Sequence, residues 1–249
     1  MDAIIIAAGS GKRISKEIKN TPKSLIRVNE KPIIQHQIDV LKKMNVQKII
    51  VITGPNSEKF DLKQVQYVRD NNFEHHDILG SLFEAKEHIK NDILILYSDI
   101  IFELKIIEDV IHSHNDIAIA VDMNWEEKYQ DRTEHPRMEA ENVLIDNNKK
   151  IIKIKKNIQN EPNCIGEFLG ILKLSSNGSK IFVSKHQELL KNNIGKFHEA
   201  PSISKAYITD MLQELIDSGE NIEPVFISGK WCEIDTLQDL KNAERIFWN

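Results

Sequence analysis

Residues 3–13 read Ala3-Ile4-Ile5-Ile6-Ala7-Ala8-Gly9-Ser10-Gly11-Lys12-Arg13, an apolar run that meets a glycine-rich basic turn. The run is too short for a helix and unbroken in apolar character, the pattern of a strand buried on both faces. Two glycines let backbone N–H groups approach an anion, and Lys12 and Arg13 add positive charge. A phosphate cradle and a plain strand-to-helix turn with surface charge are both open at this point. Two well-known loops are excluded residue by residue. A dinucleotide fingerprint needs a third glycine where Ile14 stands. A Walker loop needs glycine at Ile6 and Ser or Thr at Arg13.

Outward from this strand, helical and extended patterns alternate. Residues 32–44 carry Ile34, Ile38 and Leu41 at helical spacing behind Pro32. Residues 48–53 form a β-branched strand stopped by Gly54-Pro55, and 65–68 a third, shorter strand. Residues 81–90 are expected as a helix with Ser81 at its N-cap. The apolar segments 92–97 and 116–121 read as further buried strands. This order predicts an α/β protein, Rossmann-like, with a mostly parallel mixed sheet and helices on both faces. Residues 122–166 are polar and charged, hold the turn His135-Pro136-Arg137 and a short strand at 151–154, and read as an insertion that walls a pocket. Residues 204–218 place Ile208, Met211, Leu212, Leu215 and Ile216 on one helical face, with Gly219 to close it. The last helix is expected over 236–247, with Thr236 and Asp239 as a capping box. No repeat or linker interrupts the chain, so 1–249 is expected to be a single domain.

The chain has 249 residues, 41% hydrophobic and 29% charged, enough for a packed core. Its formal charge of -5 argues against nucleic acid as the main partner. Cys164 and Cys232 are far apart and form no CxxC, so neither a disulfide framework nor a zinc site is expected. His75-His76 and His112-x-His114 lack a third ligand nearby and are expected at the surface. The first residues place charge after the apolar run, the reverse of a signal peptide, and no apolar stretch reaches membrane-spanning length. A cytoplasmic location without membrane contact is expected; the sequence leaves the oligomeric state open.

Two isolated aspartates complete the candidate chemistry. Ser98-Asp99 ends the strand at 92–97, where ligands of an open parallel sheet bind. Asp235 precedes the last helix, where a carboxylate also has a purely structural use at the positive helix end. Magnesium takes one or two carboxylates together with phosphates and waters, which suits two separate aspartates. The residues after Asp99 are Ile100 and Ile101, so the Asp-x-Asp of a glycosyltransferase is missing.

Beyond the glycine loop come Thr21-Pro22-Lys23 and then Lys31-Pro32-Ile33. Together with Ala7-Ala8-Gly9-x-Gly11-x-Arg13 they resemble the N-terminal signature of sugar-phosphate and choline-phosphate nucleotidyltransferases. The resemblance extends from Ala3 to Ala243 and is nearest to cytidylyltransferases acting on 2-aminoethylphosphonate, phosphocholine or phosphoglutamine, some of which serve capsule modification. It implies the nucleotide-diphospho-sugar transferase type of fold and transfer of CMP from CTP to a small phosphorylated acceptor with release of pyrophosphate. It assigns Arg13 and Lys23 to neutralising the reacting phosphates, Asp99 and Asp235 to Mg²⁺, and the nucleotide to Ala7, Ala8, Gly9, Ser10, Gly11, Lys12, Gly54, Ser81 and Ser98. CTP itself is implied by the resemblance alone.

The middle segment fits a zwitterionic acceptor. Arg132, Arg137 and Lys156 suit a phosphate or phosphonate. Asp122 and Glu167 suit an ammonium group, with Trp125 or Tyr129 facing it. A solvated loop face accounts for the same charges. The related enzymes usually carry Gly-Lys where this chain has Lys155-Lys156, which leaves the acceptor open. Two other readings remain: a uridylyl- or thymidylyltransferase acting on a sugar 1-phosphate, and a nucleotide-binding regulatory protein without turnover.

Overall fold

The computed structural model describes residues 1–9, 14, 21–159, 161, 164–192 and 195–248. Strand β1 (Asp2–Ala7) lies inside a nine-stranded sheet. Its continuous apolar sequence has a direct packing reason. Ile4 and Ile6 enter the core on one face, while Ala3, Ile5 and Ala7 enter the core on the other. After β1 come a two-stranded ladder of β2 (Arg27–Val28) and β3 (Lys31–Pro32), then helix α1 (Ile33–Lys43). Strands β4 (Ile49–Thr53) and β5 (Gln66–Arg69) extend the sheet in parallel from β1.

Helix α2 covers Ile78–Phe83, followed by strands β6 (Ile93–Tyr97) and β7 (Ile100–Phe102), helix α3 (Leu104–Ile111) and strand β8 (Ile117–Asp122). Strand β6 is parallel to β1 on the side opposite β4. The short helix α4 (Trp125–Tyr129) leads to β9 (Glu141–Ile145), β10 (Ile151–Lys156) and the long β11 (Cys164–Leu174). Helices α5 (Ser176–Asn192) and α6 (Ile208–Asp217), strands β12 (Ile222–Phe226) and β13 (Trp231–Glu233), and helix α7 (Leu237–Trp248) finish the chain.

The sheet order is β10-β9-β11-β6-β1-β4-β5, with β8 on β11 and β12 parallel to β8. Helices α1 and α3 bury Ile34, Ile38, Leu41, Ile106, Ile107 and Val110 on one face. Helices α2, α5 and α6 bury Leu79, Leu82, Phe182, Met211, Leu212 and Leu215 on the other. The fold is therefore the mixed, mostly parallel α/β sheet that the alternation predicts. No helix among the described residues is long and apolar enough to cross a membrane.

Three local differences have physical causes. The helix expected over 81–90 begins at Ile78 and ends at Phe83, with a separate 3-10 turn at Lys86–His88. Ser81 is interior to it: its hydroxyl donates to Asp70 at 2.7 Å, a long-range partner that spacing cannot reveal. Second, the segment 122–166 holds β9 as well as the strand expected at 151–154, and both continue the central sheet through β11. Third, His76 is not a surface histidine. Its side chain is 15% exposed and Nδ1 lies 3.0 Å from Asp70; His75, His112 and His114 are exposed. The two cysteines are free, Cys164 exposed and Cys232 buried.

Candidate active site

Strands β7 and β13 bring the two aspartates together. They pair antiparallel with Ile100 opposite Glu233, so Asp99 and Asp235 leave the ladder at the same end. The Ile234 amide donates to the Asp99 carbonyl at 2.8 Å and locks that register. Asp235 is held from behind as well. Asp239 Oδ2 accepts the backbone N–H of Asp235 at 3.1 Å and of Thr236 at 2.9 Å, and the Asp239 amide donates to Thr236 Oγ1 at 3.2 Å. This is the expected capping box, extended by one residue to Asp235. On the other strand, Gln37 of α1 donates to the carbonyls of Tyr97 and Ile100, each at 2.8 Å, and pins the turn that carries Ser98 and Asp99.

Lys23 opens a 3-10 turn, Lys23–Leu25, after Pro22. Its ammonium donates to Asp99 Oδ2 at 2.7 Å and to Asp235 Oδ1. Burial would lower the Lys23 pKa, but Asp99, Asp235 and Glu233 outweigh it, so the lysine stays charged. The three side chains are 15%, 25% and 10% exposed for Lys23, Asp99 and Asp235, so the charges meet with little screening.

This triad lies on a cavity of about 370 Å³, within the roughly 300–1,000 Å³ of ordinary small-molecule sites. Gly9, at the end of β1, and Ile14 line it, as do Tyr97, His135, Glu139, Glu141, Lys156, Glu167, Tyr207, Trp231 and Glu233. The wall is acidic. Seven carboxylates face two lysines among the described lining residues. Crowding shows in proton affinity. Burial pushes Glu141 up to about 8, against Lys156 and the Tyr97 hydroxyl, with Glu233 and Asp99 adding to the rise. Burial and then the Glu233 charge raise Glu167 well above the carboxylate range. Glu233 is raised by burial, then by Asp235 and Asp99.

The structure places the sequence-derived residues unevenly. Lys23, Asp99 and Asp235 come together, and Lys156, Glu167 and Gly9 line the same cavity. Ala7 and Ala8 are buried beneath it. Ser10, Gly11, Lys12 and Arg13 lie outside the described residues. Gly54 stands against the β1 end, where a Cβ would come within 2.3 Å of the Ala8 carbonyl oxygen, so its glycine serves close backbone packing. Ser81 and Ser98 are not on the cavity wall.

Of the remaining acceptor candidates, several stand one layer back. The Tyr129 hydroxyl donates to Glu167 Oε1 at 2.6 Å. Arg132, whose side chain is 7% exposed, donates to Asp239 at 2.8 Å and approaches Glu233 at 3.4 Å. Asp122 accepts the Trp231 indole N–H at 2.6 Å. Trp125 is buried, its indole donating to the Ile165 carbonyl at 3.0 Å. Arg137 pairs with Glu126 on the surface, both 58% exposed.

Several wall residues outside the sequence-derived set share one signal. Tyr97 with Asp99, Glu139 with Glu141, and Trp231 with Glu233 and Asp235 are two apart and line the cavity together. A search two residues either side of the two aspartates finds Tyr97 and Glu233, whereas Trp231, Glu139 and Glu141 lie beyond it.

Asp99 Oδ2 and Asp235 Oδ1 converge on one cation, the Lys23 ammonium. Oxygen donors from two carboxylates are the set that Mg²⁺ takes, so these residues fit that ion.

A family model described as the MobA-like NTP transferase domain matches residues 3–245. The chain belongs to that family. It is thus a nucleotidyltransferase. Its sequence is 27% identical to a CTP:phosphoglutamine cytidylyltransferase of Campylobacter jejuni, over 97% of this chain and 98% of that one. It is 36% identical to a choline-phosphate cytidylyltransferase of Streptococcus pneumoniae over 107 residues, 41% of this chain and 47% of that one. A solved CTP:phosphocholine cytidylyltransferase from Streptococcus pneumoniae has the same fold, with a TM-score of 0.74 at 23% identity over 98% of both chains.

Proposed function

We propose that this NTP transferase moves CMP from CTP to a small phosphorylated acceptor that carries a cationic amine, and releases pyrophosphate. The observation that carries the reading is the meeting of Lys23, Asp99 and Asp235 on an acidic cavity at the carboxyl ends of β1 and β6. Similarity to cytidylyltransferases for phosphoglutamine and choline phosphate supports CTP and this acceptor class.

An acceptor phosphate oxygen attacks the α-phosphorus of CTP, and the bond from that phosphorus to the bridging α–β oxygen breaks. No protein nucleophile is needed, so the protein contributes position and charge. Lys23 neutralises the developing charge at the α-phosphate, with Arg13 and Lys12 of the loop as its partners on the triphosphate. Mg²⁺, held by Asp99 and Asp235, supplies further charge neutralisation when bound. Lys23 then releases these two carboxylates and turns to phosphate oxygen.

On the acceptor side, Glu141, Glu167 and Glu233 receive the amine, with Tyr97 and Tyr207 as neighbouring aromatic wall. Lys156 faces the acceptor phosphate. Tyr129 positions Glu167, and Arg132 positions Glu233 and Asp239. A sugar 1-phosphate has no cation to set against three carboxylates, so the wall favours the amine.

The test is pyrophosphate release with Mg²⁺ and each of CTP, UTP, ATP, GTP and dTTP, paired with phosphocholine, phosphoglutamine, 2-aminoethylphosphonate and glucose 1-phosphate. Turnover with CTP and an amine-bearing acceptor is expected. Turnover confined to UTP or dTTP with glucose 1-phosphate would overturn the reading in favour of a sugar-phosphate enzyme. CTP binding with no pyrophosphate from any pair would leave a nucleotide-binding protein.

A further inference from the structure

Asp235 divides its two oxygens between two neighbours. Oδ1 takes the Lys23 ammonium, and Oδ2 lies 2.9 Å from His135 Nδ1. The other ring nitrogen, Nε2, is 3.8 Å from Glu233 Oε2. Ligand atoms of His135, Glu233 and Asp235 all fall within 4.8 Å of one another, on the cavity wall.

The contact is not an ordinary brace. His135 is 2% exposed, and its Nδ1 has no aligned hydrogen bond despite the short approach to Asp235. Buried polar atoms are nearly always bonded, and an orphan calls for a partner, an ion among them. Glu167 Oε2, also buried on this wall, is a second such orphan. Among the described lining residues, the surplus of carboxylates over lysines favours added positive charge on the same wall.

We propose that His135, Glu233 and Asp235 form a second divalent-cation site, beside the Asp99–Asp235 point and distinct from it. One imidazole and two carboxylates suit Mn²⁺, Co²⁺ or Zn²⁺ better than Mg²⁺, which prefers oxygen alone. Without nucleotide, Lys23 already fills the Asp99–Asp235 point, so the histidine-bearing site is the one open to an ion first. Glu233 and Asp235 are shared with the proposed function, and neither CTP nor turnover enters the argument.

Mn²⁺ titration of the full-length, nucleotide-free protein, followed by electron paramagnetic resonance, tests this. One tightly held ion is expected, with spin-echo modulation from an imidazole nitrogen. His135→Gln and Glu233→Gln should each weaken binding about tenfold or more. Asp99→Asn should leave it within about twofold and keep the nitrogen modulation. Circular dichroism identifies a variant that fails to fold, and the other ligand variant then carries the comparison. Loss of binding in Asp99→Asn with none in His135→Gln would overturn the proposal, placing the ion at the aspartate pair. Absence of a tightly held ion in the unmutated protein would overturn it too. The assay contains no nucleotide, so its failure is separate from any failure of the cytidylyltransferase reading.

Discussion

Lys23 joins Asp99 and Asp235 through one ammonium, and its removal leaves two carboxylates facing each other. Two like charges about 4 Å apart repel by roughly 4 kcal/mol at an effective dielectric of 20. Lys23→Met is therefore expected to lower Tm in the presence of chelator. Mg²⁺ should recover more of the loss in this variant than it adds to the unmutated protein, because the ion takes the place of the ammonium. Equal Mg²⁺ responses in the two proteins would remove the aspartate pair as the ion's site. Glu141 gives a second residue-scale prediction with a definite sign. Its pKa rises from 4.5 to about 8 in the fold. Between those values the native protein keeps a proton that the unfolded chain has lost. Stability from this group is thus full below about pH 4.5 and declines as pH rises to about 8. The loss is on the order of 2–4 kcal/mol, taking 1.4 kcal/mol per unit and allowing for partial exposure. Glu141→Gln should raise Tm little near pH 5 and clearly near pH 9. A constant difference across that range would place Glu141 in a solvated setting.

At the scale of elements, strand β11 shapes the cavity wall by bending. Its first residues pair with β9, its last with β6, and its register against β8 shifts between Phe168 and Leu172. Gly170 sits in that shift at φ 68°, where a Cβ would come 2.4 Å from the Tyr97 ring. Both facts require glycine: the backbone is left-handed and the neighbour is a packed aromatic. Gly170→Ala is expected to cost about 1–3 kcal/mol in strain, read by chemical denaturation. It should also raise the acceptor KM more than the CTP KM, since Glu167 lies on the same strand. Equal changes in the two KM values would detach the bulge from acceptor binding.

The same strand marks how far the sequence could be read. Apolar runs such as 3–8 and 92–97 announce their strands, because burial on both faces leaves no polar residue to break the pattern. Helix α6 and the Thr236–Asp239 box are legible for the same local reason. Residues bonded across long separations are not. Arg132 reads as a phosphate ligand until Asp239, 107 positions away, takes its guanidinium. Ser81 reads as a helix cap until Asp70 takes its hydroxyl. Glu233 is legible locally, at the end of β13 two residues before Asp235.

At the scale of the whole molecule, the formal charge of -5 is modest, whereas the cavity sets seven carboxylates against two lysines among its described lining residues. The protein manages this crowding with protons. Burial and neighbouring carboxylates raise Glu141 to about 8, and Glu167 and Glu233 in the same direction, so near neutral pH Glu141 keeps a proton in place of negative charge. A cationic ligand reverses the balance: its charge favours the ionised carboxylates, their pKa values fall, and protons leave. An anionic ligand arriving without a cation does the opposite and draws protons in. Phosphocholine binding near pH 7 should therefore release protons, while glucose 1-phosphate should take them up. Calorimetry in buffers of different ionisation enthalpy measures that number directly. Glu167→Gln should reduce the release for phosphocholine, since a carboxyl that gave up a proton is gone. Proton release equal for both ligands would mean that the three glutamates do not meet the acceptor's amine, and the acceptor would then lie elsewhere on the cavity wall.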